Sequence, residues 1–153
     1  MAFEAALAGV KAAEDIGLWQ SVGEESPFLQ LIAREGGEPP GVPRTKFAAF
    51  ESLSVLQGRG AVFTARLASG TNRVDANNNQ GCWAIASAGS LQLVFREGER
   101  INGKTLRSFI LLGAVPGSHG QRRAWAAADP TPSLIYRAFY DDGSDAIVTA
   151  AVP

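Results

Sequence analysis

Along 62–67 the side chains alternate, with Phe63, Ala65 and Leu67 set against Val62, Thr64 and Arg66. That period of two, rich in β-branched and aromatic residues, predicts a strand with one buried face. Residues 2–16 pattern differently. Phe3, Leu7 and Val10 recur at helical spacing among alanines, as in an amphipathic helix. Yet the two segments align, with Phe3, Ala5 and Leu7 falling on Phe63, Ala65 and Leu67. Equivalent segments of a repeat share a fold, so both are predicted as strands.

The alignment continues down the chain. "DIGLWQS" (15–21) matches "NQGCWAI" (79–85), which places Gly17 and Trp19 on Gly81 and Trp83. "LQLIAREG" (29–36) matches "LQLVFREG" (91–98), and "FAAFESL" (47–53) matches "LRSFILL" (106–112), with Phe50 on Phe109. The offsets are 60, 64, 62 and 59 residues. Order is kept while spacing drifts, as when a duplicated unit keeps its strands and varies its loops. A partial third copy follows in "LIYRAFYDDGSDAIVTAAV" (134–152). Tyr136, Ala138 and Tyr140 take the Phe-Ala-Leu positions there, and Ile147 takes the tryptophan position.

Each full copy supplies four candidate strands, so the predicted fold is all-β. Its antiparallel four-stranded repeats of about 60 residues have the plan of a β-propeller blade. The copies run over 2–60 and 61–133, with the partial one over 134–152. A blade cannot bury both faces alone, and about three or more units are needed for stability. Two and a half blades leave two apolar faces unpartnered. Three outcomes follow: a piece of a longer propeller, self-association, or a single β-sandwich instead. Met1 stands directly against the first strand, which favours the first of these.

The order Phe-x-Ala-x-Leu, Gly-x-Trp, "LxLxxREG" and a Phe-rich strand resembles the bacterial choice-of-anchor tandem repeat proteins of the NxxGxxxF type. The similarity covers nearly the whole chain and is closest in its C-terminal half. The resemblance implies a surface-directed protein with propeller-like repeats and no assigned activity. The naming motif's Asn and Gly are replaced by Leu56 and Arg59 ahead of Phe63, and by Asp129 and Pro132 ahead of Tyr136. No signal peptide or sorting segment is recognisable in the chain, so a cell-surface location is implied by the resemblance only.

Composition narrows the partners. The 14 basic and 15 acidic side chains nearly cancel, which gives no electrostatic reason to expect nucleic acid. No apolar run approaches the roughly 20 residues that span a bilayer. One cysteine and one histidine cannot build a four-ligand zinc centre. There is no P-loop, dinucleotide fingerprint or Gly-x-Ser-x-Gly elbow, so no cofactor is expected.

The chemical candidates are few. Arg34-Glu35-Gly36 recurs as Arg96-Glu97-Gly98. As chemistry, Glu35 and Glu97 would be an acid–base pair, of glycosidase type if about 5–9 Å apart. As structure, each triplet ends a strand and turns the chain through a positive-φ glycine. A motif present in every unit normally belongs to how the unit is built, so the corner is expected. Trp19 and Trp83 are expected in the blade core or between blades. The loop carrying Asp75, Asn77, Asn78 and Asn79 is a polar tip whose amides could hold a sugar. Asp141, Asp142 and Asp145 lie around an Asp-Gly hairpin signal and lack the calcium-loop pattern. Cys82, beside Trp83, is expected to be a buried apolar residue. His119 is expected in a glycine-rich loop, and Arg122 and Arg123 are too few for a nucleic-acid surface. The function expected is therefore a non-catalytic repeat module that binds or scaffolds, with glycan as one class of ligand. The alternatives are a carbohydrate-active enzyme fragment or a carbohydrate-binding β-sandwich.

Overall fold

The computed structural model describes residues 1–23, 28–56, 60–70, 73–112, 125–126 and 133–153, and these form an all-β structure. The first sheet holds β1 (Ala2–Ala6), β2 (Ile16–Val22) and β3 (Phe28–Arg34) in that order. The second holds β4 (Phe47–Leu56), β5 (Gly60–Leu67), β6 (Gln80–Ile85) and β7 (Leu91–Arg96). In the third, β11 (Ser133–Tyr140) pairs with β12 (Asp145–Ala151), with β9 (Lys104–Leu111) and with the short β10 (Trp125–Ala126). The two-residue β8 (Arg100–Ile101) pairs with β9. All pairings are antiparallel.

The alanine-rich start is a strand. Phe3 lies opposite Trp19, as Phe63 lies opposite Trp83, so a cross-strand aromatic pair overrides the helical propensity of the alanines. The aligned segments also match in their irregularities. The β2–β3 ladder shifts between Leu18 and Trp19, and the β6–β7 ladder between Cys82 and Trp83. The extra residues, Ile32 and Val94, are therefore equivalent bulges. A further pair of matched shifts sits at Phe47/Ala49 in β4 and opposite Phe139/Tyr140 in β9. Bulges at matching positions belong to the shared backbone plan rather than to local accident.

The register corrects one alignment. Tyr136, equivalent to Phe63, pairs with Val148, so Val148 occupies the tryptophan position and Ile147 does not. Ile147 pairs with Arg137, which makes it the counterpart of Leu18 and Cys82. The turn before β12 is so short that alignment by spacing slips by one residue, and a one-residue slip moves a side chain to the opposite face.

The sheets are also out of phase with the sequence repeat. The Phe50 strand does not complete the first copy's sheet. It crosses over and becomes the first strand of the second sheet, and β9 does the same for the third. The second and third sheets are thus each a fourth strand followed by the first strands of the next copy. Among the described residues, only the second sheet has the full set of four.

Three sheets stack, with the second buried on both sides. Between the first and second lie Leu18 and Ala33 against Phe47, Phe63, Ala65, Leu67 and Trp83. Between the second and third lie Val62, Cys82, Ala84 and Phe95 against Leu106, Phe109, Tyr136, Ala138 and Tyr140. This is not a two-sheet sandwich, and the described residues form no closed ring. Phe95 stacks on Tyr136 with ring centroids 4.1 Å apart, and Phe109 meets Phe95 edge-on at 4.8 Å. Gln20 ties the first interface with polar contacts, accepting a bond from the Ala61 amide and donating to Gln30.

Candidate functional site

The Arg-Glu-Gly triplets are the joints between sheets. Gly36 and Gly98 sit at φ 76° and 81°, a left-handed conformation that favours glycine. Their amides donate to the carbonyls of Phe47 and Leu106, which open the next sheet. The Glu35 and Glu97 amides donate back to Ile16 and Gln80 of the sheet being left. Four backbone groups are therefore satisfied identically at each joint.

Both glutamates are buried, at 9% and 7% exposure. Glu97 accepts hydrogen bonds from the backbone amides of Gln80, at 3.0 Å, and Asn79. Glu35 makes the matching bond with the Ile16 amide. Burial raises the pKa of each carboxyl above its usual value, with the amide bonds opposing the rise. The two glutamates close two different joints, each held by its own sheet. Arg34 donates from Nε to the Glu14 carbonyl and lies 3.5 Å from its carboxylate. The equivalent Arg96 Nε is buried with no hydrogen-bond partner among the described residues.

Beside the second joint, a crevice of about 270 Å³ opens between the second and third sheets. Glu51, Ser52, Thr64 and Gln80 form its polar side, and Phe109, Ile110 and Leu111 its apolar side. Ser52 and Thr64 hydroxyls are 2.8 Å apart. One Glu51 oxygen accepts from Arg66 and the other from Gln80. The charge on Glu51 raises, and that on Arg66 lowers, the pKa of Glu97. Such a lining suits a polyhydroxylated guest, which would compete with bonds already made. Sequence reasoning did not find these residues. Their signal was disagreement between copies: Gln80 stands where the first copy has Ile16, and Thr64 where it has Glu4.

The other candidates are placed as follows. Trp83 is fully buried, and its indole N–H donates to the Pro40 carbonyl at 3.0 Å, under the β3–β4 connection. Trp19 lies on the outer face of the first sheet and is half-buried. The Asp75–Asn79 loop spends its polar groups on itself. The Asp75 carboxylate accepts from the Asn77 amide, and Asn78 bridges the Asp75 amide and the Arg73 carbonyl. Asp142 accepts from Ser144 and from Lys104 Nζ, the latter at 2.8 Å, so these bonds hold its carboxyl below the usual range. Asp145 pairs with Arg137. Among the described residues no cluster of His, Cys, Asp and Glu could hold a metal ion. Cys82 is completely buried, which pushes its thiol pKa up. His119, Arg122 and Arg123 lie outside the described residues. Among the described residues, no helix is long and apolar enough to cross a membrane.

One family model matches residues 1–153, that of DUF7453, a family of unknown function. The chain belongs to DUF7453. No curated protein matches it, and no solved structure does. For this DUF7453 chain the joints and the crevice therefore carry the functional argument.

Proposed function

We propose that this DUF7453 chain is a non-catalytic, propeller-type repeat module that binds or scaffolds, in the manner of a surface protein. The observation that carries the reading is the use of both repeated glutamates as joint braces. Glu35 and Glu97 bond the backbone at equivalent places in successive sheets. A catalytic pair needs one convergent site, whereas these carboxylates recur once per unit.

The propeller-type reading is supported by the sheet order. A strand crosses at each joint to open a new antiparallel meander, and the apolar faces stack in one sense, as radially arranged blades do. The surface-protein reading is supported by the resemblance to the choice-of-anchor repeats. The crevice beside Glu51 is the candidate ligand site, and its hydroxyl, amide and carboxylate lining favours a glycan.

A glycan-hydrolysis screen on the wild-type chain and on Glu35→Gln/Glu97→Gln tests the reading. It expects no turnover from either protein. Turnover by the wild type that disappears in the double variant would establish the enzyme instead.

A further inference from the structure

We propose that the outer face of the first sheet docks onto the outer face of the third sheet of a second copy, in a head-to-tail assembly. A second copy fits as the covering partner because the chain contains the same kind of interface twice.

Each sheet has two chemically different faces. One carries the Phe/Tyr positions with the tryptophan position and the leucines of the third strand. In the second sheet this face is Phe63, Trp83, Leu91 and Leu93, and it is covered. What covers it is the opposite face of the first sheet, through Leu18 at 0% exposure and Ala33 at 7%, together with the β3–β4 connection, whose Pro40 carbonyl accepts from the Trp83 indole. The second interface repeats the rule. Tyr136 and Val148 of the third sheet meet Cys82 and Phe95 of the second.

Among the described residues the rule leaves one face of each kind over. On the first sheet the unused face is Phe3, Trp19, Leu29 and Leu31, the counterparts of Phe63, Trp83, Leu91 and Leu93. Leu29 and Leu31 are 57% and 44% exposed there, whereas Leu91 and Leu93 pack against the core. On the third sheet the unused face carries Ile147, the counterpart of Leu18 and Cys82. Both counterparts are 0% exposed, and Ile147 is 62% exposed. Ile110, which shares Arg137 as cross-strand neighbour, is 57% exposed beside it.

A tail of the Leu18 kind therefore meets a head of the Trp83 kind when two chains stack. Since head and tail are different surfaces, the contact is heterologous, and it closes into a ring or grows as a filament according to the rotation per chain. The proposal rests on the scaffold reading for its biological sense, but it has its own test.

Light scattering on the 153-residue chain over a concentration series should show oligomers. Leu29→Glu/Leu31→Glu blocks the head, and Ile147→Glu blocks the tail. Each variant alone should lose the oligomer entirely and remain folded by circular dichroism, since the altered sites are exposed. Mixed together, they should give a discrete one-to-one pair, because one working head then meets one working tail. A monomeric wild type overturns the proposal, and so do oligomers that survive both variants. Variants that show no pairing on mixing overturn it as well. If it falls while the glycan screen stays negative, the scaffold reading stands without it.

Discussion

The indole of Trp83 folds back over Gly81, so that a Cβ added to that glycine would stand 2.6 Å from Cη2 of the ring. The Gly-x-Trp motif is thus a packing unit, in which the glycine leaves room for the ring two residues on along the same face. Trp83 is fully buried and cannot swing aside. Gly81→Ala should therefore cost about 1–3 kcal/mol through overpacking. Gly17→Ala meets Trp19 Nε1 at 2.9 Å, but that ring lies on an open face and can move, so the loss should be smaller. Chemical denaturation of the two variants compares them directly, and equal losses would mean that the two indoles are held alike.

The same contrast holds for the rings themselves. Trp83→Ala empties a core site packed by Phe47 and Phe63 and should cost about 3–5 kcal/mol. Trp19→Ala, measured on the monomeric Ile147→Glu background, should cost well under half as much. The midpoint of urea unfolding reads both.

Stability should carry a pH component set by the joint glutamates. Burial raises the folded-state pKa of Glu97 and Glu35 above the ordinary value of 4.5. Between 4.5 and the raised value the folded state binds more protons than the unfolded one, so stability falls as pH rises through that window. Glu97→Gln keeps an acceptor for the Gln80 amide and removes the charge. Its unfolding free energy should therefore be flatter across the window than the wild type's. A steeper dependence would show that the carboxylate is net stabilised in the fold.

Cys82 should be inert in the native chain. At 0% exposure and with burial pushing its pKa up, its thiol offers neither access nor thiolate. A thiol reagent at mildly alkaline pH should react only after denaturation, with one thiol per chain. Rapid native labelling would mean that the second interface opens.

Much of the architecture was legible because the chain states it twice. Aligning Phe3 with Phe63 turned an apparent helix into the strand that is observed, where periodicity alone would have misled. The positive φ at Gly36 and Gly98 follows from the same repetition. What the alignment could not show was the phase of the sheets. Phe50 lies within the first copy by sequence, yet hydrogen bonding places it beside Ala65 of the next. Strand order depends on where a corner sends the chain, and neither triplet encodes its partner strand in its own residues. The crevice was hidden for a related reason. Glu51, Ser52, Thr64 and Gln80 are scattered over three strands, and only the β4–β5–β6 register gathers them.

The sheets stack through one recurring pair of faces. Phe95 on the second sheet and Tyr136 on the third, stacked 4.1 Å apart, report on this packing most directly. A double-mutant cycle with Phe95→Ala and Tyr136→Ala should return a coupling of about 0.5–1.5 kcal/mol in unfolding free energy. Strict additivity of the two losses would place the rings out of contact and contradict the stacked arrangement.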